Sequence, residues 1–214
     1  MSRSEYTLYY APGAASLVVH WLLLEVDAPH ALALVDTAAG AQKRPEYLAL
    51  NPNGVVPTLV IDGAPHYEAA ALSMHLADAF PAAALAPSLS EPQRMDYTQW
   101  MFNLANMVQP LFRQWWYPHE PAGEGNAEAV RQHVQRRIEA EWQRIDRHLA
   151  EHGPHLLGER LTAADFYLVM LMRWSRNMPK PANEWAHLSA LASRLKARPS
   201  FATLYEREGL TEWA

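Results

Sequence analysis

The stretch Tyr10-Ala11-Pro12-Gly13-Ala14-Ala15-Ser16-Leu17, YAPGAASL, lies between an aromatic, apolar run at residues 6–10 and a run of helical character at residues 14–26. A Pro-Gly turn in that position reads as the end of a strand handing the chain to a helix. A second apolar run at 31–35 completes a βαβ unit, whose two strands are expected to run parallel. Such turns are where reactive side chains gather. From Pro12 to Leu17 this one carries two alanines and a single hydroxyl, Ser16.

Outward from that unit, a short helix is expected near 42–48, followed by the turn Asn51-Pro52-Asn53-Gly54 and a strand at 58–61. Asp62-Gly63 is a hairpin signal leading into His66-Tyr67, and residues 68–80 read as a helix. The order is therefore βαβ followed by ββα. Residues 81–92, PAAALAPSLSEP, contain three prolines and no period. They read as a join, which sets the expected organisation at a first domain over 1–81, a linker over 82–92 and an all-helical domain over 93–214.

In the second part Trp100, Met101, Leu104, Val108 and Leu111 recur at helix spacing, as do Val130, Val134, Ile138, Trp142, Ile145 and Leu149. Thr162 with Asp165 three residues on is a capping-box variant opening a run, 166–174, that is apolar nearly all round and so belongs at the centre of that domain.

Composition narrows the function. The chain has 214 residues, enough to bury a core without metals or disulfides, and its net charge of −5 gives no reason to expect nucleic acid or a membrane surface as a partner. No apolar stretch reaches the roughly 18 residues of a membrane span, and the start lacks a signal peptide's layout, so a cytoplasmic protein is expected. There is no cysteine. That excludes disulfides, thiolate nucleophiles and cysteine metal sites together, and any thiol chemistry must use another molecule's sulfur. His148, His152 and His155 approach metal-ligand spacing, but Gly153 and Pro154 interrupt the helix between them, and no metal is expected.

On YYAPGAASL, NPNGVVPTL, the Glu68 helix start, Leu76-Ala77-Asp78 and LTAADFYL at 161–168, the chain resembles a bacterial cytosolic glutathione transferase, nearest the beta class, over essentially its full length. The resemblance implies an α/β thioredoxin-like N-terminal domain, an all-α C-terminal domain and a homodimer. It also implies an enzyme that joins the thiolate of reduced glutathione, a co-substrate rather than a cofactor, to an apolar electrophile. The alternative is a non-catalytic binding or regulatory protein that kept the fold.

Residue by residue, the resemblance makes Val56-Pro57 the cis-proline step that leaves the backbone of the preceding residue free to pair with the cysteinyl unit of glutathione. Glu68 would accept the γ-glutamyl ammonium, with Ala69 where relatives carry Ser or Gly, and Lys43 with Arg44 would meet the glycine carboxylate. Ser16 is the expected hydroxyl for the thiolate, and Tyr10 the alternative. A thiol titrating at about 8.5 needs roughly 2.7 kcal/mol of selective stabilisation to fall by two pH units. The usual class cysteine is replaced by Ala15, and the usual histidine of the second domain is also missing, which leaves Asn106, Gln109 and Arg113 as candidates for the second-substrate pocket.

Overall fold

Strand β1 (Tyr6–Tyr10) runs through the middle of a four-stranded sheet because its side chains find partners on both faces. Tyr6 and Leu8 are buried on one face, and Tyr9 packs on the other. The computed structural model describes residues 5–123 and 125–213. Helix α1 (Ser16–Glu25) leads from β1 to β2 (His30–Leu34), which pairs parallel with β1 in the register Leu8 to Leu32. Helix α2 (Pro45–Leu48) precedes β3 (Thr58–Ile61), and Asp62-Gly63 turns into β4 (Ala64–Tyr67), which is followed by α3 (Ala69–Ala79). The sheet order is β2-β1-β3-β4, with β3 antiparallel to both neighbours. This is the βαβ followed by ββα that the sequence implies.

Helix α1 is buried almost all round, from Ser16 to Leu23, as befits a segment with a single polar ring, His20, in an apolar run. Burying one such aliphatic side chain contributes about 1.5–3 kcal/mol. Helix α1 begins at Ser16 rather than at 14 because the preceding turn spends its donors locally: the Ala14 N–H goes to the Ala11 carbonyl at 3.1 Å and that of Leu17 to Ala14 at 3.0 Å.

The second unit, residues 86–196, is helical. Helix α4 (Arg94–Asn103) passes through a π-helical turn, Leu104–Val108, into α5 (Gln109–Trp116). Pro110 has no N–H to give the carbonyl four residues back, and the turn widens so that the Gln109 N–H bonds to the Leu104 carbonyl. The short α6 (His119–Ala122) precedes α7 (Ala127–His152), whose buried stripe is Val134, Ile138, Trp142, Ile145 and Leu149. Helix α8 (Ala163–Trp174) is buried from Ala163 to Arg173 and forms the centre, and α9 (Ala186–Lys196) packs against α7 and α8.

The last helix, α10 (Pro199–Glu208), belongs to the first unit, which comprises the residues up to 85 together with 197–212. Composition assigns every late helix alike to a helical domain. The side chains decide otherwise: Trp21 Nε1 donates to Ser200 Oγ at 3.0 Å, the Trp21 and Phe201 rings lie 5.2 Å apart, and Arg198 Nε donates to Glu25 at 2.8 Å.

The buried carboxyl of Asp165 accepts from the Leu156 N–H at 2.9 Å, the Thr162 N–H at 2.8 Å and the Thr162 hydroxyl at 3.1 Å. Burial nevertheless pushes its pKa up from 3.8 to about 6, the hydrogen bonds offsetting this only in part. A carboxyl that holds its proton more tightly folded than unfolded contributes stability at low pH and loses it as the pH rises through the folded value. The wild-type protein is therefore expected to lose stability relative to Asp165→Asn between about pH 4 and pH 7, by up to roughly 3 kcal/mol, because the folded value stands about two pH units above the ordinary one. Urea denaturation of both proteins across that range measures it, and parallel curves would refute the assignment.

Candidate functional site

The candidate residues of the first unit gather around the loop from Asn51 to Pro57. Asn51, fully buried, donates its amide to the Val55 carbonyl at 2.8 Å and accepts from the Asn53 N–H at 3.0 Å. The Tyr47 hydroxyl also donates to the Val55 carbonyl at 2.8 Å and bonds to Thr58 Oγ1 at 2.9 Å. Burial raises the Tyr47 hydroxyl above its usual pKa, so it stays a donor at neutral pH. The loop is thus clamped on both sides of Val56, and the Val56-Pro57 peptide bond is cis.

The clamp leaves out the backbone of Val56. Among the described residues neither its N–H nor its C=O has a partner, although the residue is buried. Unpaired backbone groups at a buried position are rare, and a donor and acceptor on one residue suit an extended peptide laid alongside.

Val56 also clusters with Ala11, Val35 and Tyr47, and Tyr9, Ala14 and Ala41 pack against them. The turn that opens α1 and the cis-proline step therefore share one small core. Tyr9, and not Tyr10, faces that cluster, since alternation in β1 sends Tyr10 the other way, where its ring lies 6.0 Å from that of His20.

Ser16 requires a correction. It is fully buried, and its hydroxyl accepts from the Ala11 N–H at 3.2 Å and donates to the Ala11 carbonyl at 3.1 Å. The hydroxyl closes the turn on itself and has no donor to spare for a ligand. The N–H groups of Ala15 and Ser16, by contrast, have no partner among the described residues, as expected of a first helical turn.

Glu68 sits at the N-cap position of α3 with φ of 77°, a left-handed conformation unusual for a residue with a side chain. Strain of that kind costs about 1–3 kcal/mol and collects at functional sites. Its carboxylate is exposed and accepts from the Asn53 amide at 3.4 Å. Ala69 is buried behind it as the first residue of α3. On the far side of the loop Lys43 reaches the Asn53 carbonyl at 3.4 Å. It passes so close to Gly54 that a Cβ there would meet Nζ at 2.8 Å and the Gln42 carbonyl at 3.0 Å, and φ of +60° at Gly54 also favours glycine. Lys43, Asn53 and Glu68 thus share one edge, an acid and a base about one loop apart.

In the second unit, Asn106 is exposed on the π-helical turn, and Gln109 accepts a hydrogen bond from the Tyr167 hydroxyl. Arg113 is committed: Nε donates to Glu120 at 2.8 Å and a terminal nitrogen at 2.5 Å, with the guanidinium 4.5 Å from the Tyr117 ring centroid. The Glu120 carboxylate holds the Arg113 guanidinium above its usual pKa. Of the two histidines that end α7, His148 bonds to the Leu156 carbonyl at 2.9 Å and His152 to that of His148 at 3.2 Å, so each spends a ring nitrogen on the protein.

One residue that fixes the turn before α1 was not singled out in the sequence. The side chain of Glu208, at the end of α10, is fully buried; one oxygen accepts from the Gly13 N–H at 2.8 Å and the other meets His20 Nδ1 at 2.8 Å. A carboxylate only accepts, so Nδ1 carries the hydrogen. An isolated histidine in an apolar run is the only local sign of a buried partner, and nothing in the sequence points to a residue 188 positions away.

The four-stranded sheet, with its cis-proline step beside a helix N-terminus, is thioredoxin-like, and a helical unit follows it in the chain. Comparison with known proteins narrows this reading. Residues 14–79 match the family description "Glutathione S-transferase, N-terminal domain", and residues 105–208 match "Glutathione S-transferase, C-terminal domain". The chain is 30% identical over 207 residues to glutathione S-transferase GST-4.5 of Xanthomonas campestris pv. campestris, covering 95% of this chain and 98% of that one. A glutathione transferase homologue from Sulfitobacter, solved with bound glutathione, superposes with a TM-score of 0.88 at 26% identity, covering 97% of this chain and 99% of that one. The beta-class glutathione S-transferase of Sphingomonas chungbukensis superposes at 0.84 and 26% identity, covering 96% and 100%. The chain belongs to the glutathione S-transferase family.

Removing the Glu208 carboxylate strands His20 and the Gly13 N–H in a buried site. Glu208→Ala is expected to cost about 3–5 kcal/mol in urea denaturation, the usual penalty for breaking a buried pair, while Glu208→Gln, which still accepts one hydrogen bond, costs visibly less. Equal small losses would show that the contact is incidental.

Proposed function

We propose that the protein binds reduced glutathione along the unpaired backbone of Val56, holds its sulfur as a thiolate at the opening of α1, and directs it at an electrophilic carbon of an apolar compound. The observation that carries this reading is the free N–H and C=O of Val56 beside a cis proline, on a chain of this family. The cysteinyl unit would pair there in antiparallel fashion. Glu68 would take the γ-glutamyl ammonium, and the first N–H groups of α3 its carboxylate. The hydroxyl that Ala69 lacks costs about 1 kcal/mol of that contact. Lys43, with Arg44, would meet the glycine carboxylate at the other end. Reduced glutathione is a cytosolic thiol, and the cytoplasm is the compartment we assign.

The thiolate is stabilised by the N–H groups of Ala15 and Ser16 and the dipole of α1, because Ser16 keeps its hydroxyl for Ala11. The thiol proton leaves to solvent, sulfur donates an electron pair to the carbon, and the leaving group departs with its own bonding pair. Asn106 and Gln109 are the polar candidates beside the second substrate. Arg113, paired with Glu120, would contribute its ring-stacked face rather than its charge.

Calorimetry with glutathione, followed by conjugation of a generic halonitroarene, tests the reading. Binding with turnover supports it, binding without turnover identifies a non-catalytic relative, and no binding refutes both. Glu68→Ala is expected to weaken glutathione binding by about 1.5–3 kcal/mol, the range for a charge-assisted hydrogen bond. Ala15→Cys is expected to form a mixed disulfide with oxidised glutathione, because a thiol at a helix N-terminus has a depressed pKa. Mass spectrometry reads the added tripeptide, and an accessible but unmodified cysteine would move the sulfur elsewhere. We further propose a symmetric homodimer, as is usual for cytosolic enzymes of this kind. Light scattering at micromolar concentration decides it.

A further inference from the structure

Strand β4 is exposed along its whole length, and a groove of about 500 Å³ lies between it and α3. Register decides which side chains meet there. His66 pairs with Leu59 and Leu59 with Leu8, so His66 projects from the face of the sheet that carries Tyr6 and Leu8. Phe80, directly after α3, brings its ring to 6.1 Å from that of Tyr6, which places α3 over the same face. On α3, Ala71 and Leu72 stand one helical turn before His75, and all three line the groove together with His66. An imidazole from the strand and an imidazole from the helix thus enter one cleft from its two walls.

The floor of the cleft is apolar, with Leu72 buried and Ile61 half-buried. Both histidines are exposed, and among the described residues neither ring has a hydrogen-bond or ion-pair partner. A neutral imidazole keeps a lone pair on one nitrogen, so two unspent ligands face one space, and exposed, unpaired side chains turn between rotamers until both aim at one point. The histidines at the end of α7 are arranged otherwise. The rings of His148 and His152 stack at an interplanar angle of 20° with centroids 4.8 Å apart. Lone pairs lie in the ring planes, and planes so nearly parallel do not bring them to one ion. Among the described residues no three side chains of His, Cys, Asp or Glu gather as a metal site, so a pair of imidazoles makes an open site whose other positions go to water.

We infer that His66 and His75 together bind one late first-row transition-metal dication, with water completing its coordination. Imidazole ligands select copper(II), nickel(II) or zinc(II) over magnesium and calcium, which prefer oxygen, and copper(II) binds tightest of the three. The net charge of −5 favours the approach of any cation, so the selection lies in the two nitrogens and the apolar floor behind them. Binding here does not depend on the proposed glutathione chemistry, and the ion takes no step in it.

The test titrates copper(II) into the untagged, glutathione-free full-length protein by calorimetry and reads the bound ion by electron paramagnetic resonance. The wild type is expected to take up one tight equivalent with the nitrogen couplings of two imidazoles. His66→Gln and His75→Gln, both at exposed positions, are each expected to weaken binding at least tenfold and to leave the coupling of a single imidazole, while circular dichroism confirms that each variant is folded. The double substitution His148→Gln with His152→Gln is expected to leave the affinity unchanged, and equimolar magnesium to leave copper in place. Wild-type affinity or a two-imidazole spectrum in either groove variant would overturn the site, as would loss of binding in the α7 variant. Displacement of copper by magnesium would overturn the ligand class.

Discussion

The carboxylate of Glu208 is the contact on which the candidate site depends. A buried carboxylate without donors costs several kcal/mol. Here the donors are the N–H of Gly13 and the ring of His20, both at 2.8 Å, so the cost is met only when the turn before α1 and the helix α1 itself stand in one arrangement relative to α10. Gly13 reaches that arrangement with φ of 68°, a conformation that favours glycine. Once the turn is fixed, Ser16 closes it from inside, and the N–H groups of Ala15 and Ser16 are left without a partner among the described residues.

The second constraint acts from the opposite side of the same small core. Tyr47 and Asn51 take the Val55 carbonyl, and Thr58 continues into β3, so the backbone is pinned before and after Val56 while Val56 itself stays unpaired. A ligand backbone placed there completes an interrupted ladder instead of displacing an existing bond. On the proposed reading the recognition elements are main-chain groups held by buried side chains, so Ala15, where the resemblance implies a cysteine, would leave them in place.

The helical unit follows a different logic. Its centre, α8, is buried along nearly its whole length and can only be a core element, with Asp165 retained as a buried acid because it organises the chain before the helix as well as the helix start. The widened turn at 104–108 is set by Pro110, a single missing N–H that places Asn106 on the exposed surface of an otherwise continuous helix.

Local pattern determined the four strands, the parallel βαβ opening, the hairpin at Asp62-Gly63 and the buried centre at α8, because period-two and period-3.6 spacing report which side of a segment is covered. The resemblance also singled out Val56, Pro57, Glu68 and Lys43, which lie within one stretch of chain that spans α2, β3 and β4. The sequence did not show that Ser16 turns inward, that Tyr9 rather than Tyr10 meets the shared core, or that α10 joins the sheet unit. In each case the residue type allowed both outcomes, and the choice was made by a partner elsewhere: the Ala11 backbone for Ser16, Val56 and Tyr47 for Tyr9, and Trp21 with Glu25 for α10. The most consequential example is Glu208, 195 residues from the glycine it holds. A glutamate near a chain end is ordinarily a solvated side chain, and only the folded structure, by removing water from around it, turned it into the anchor of the first turn.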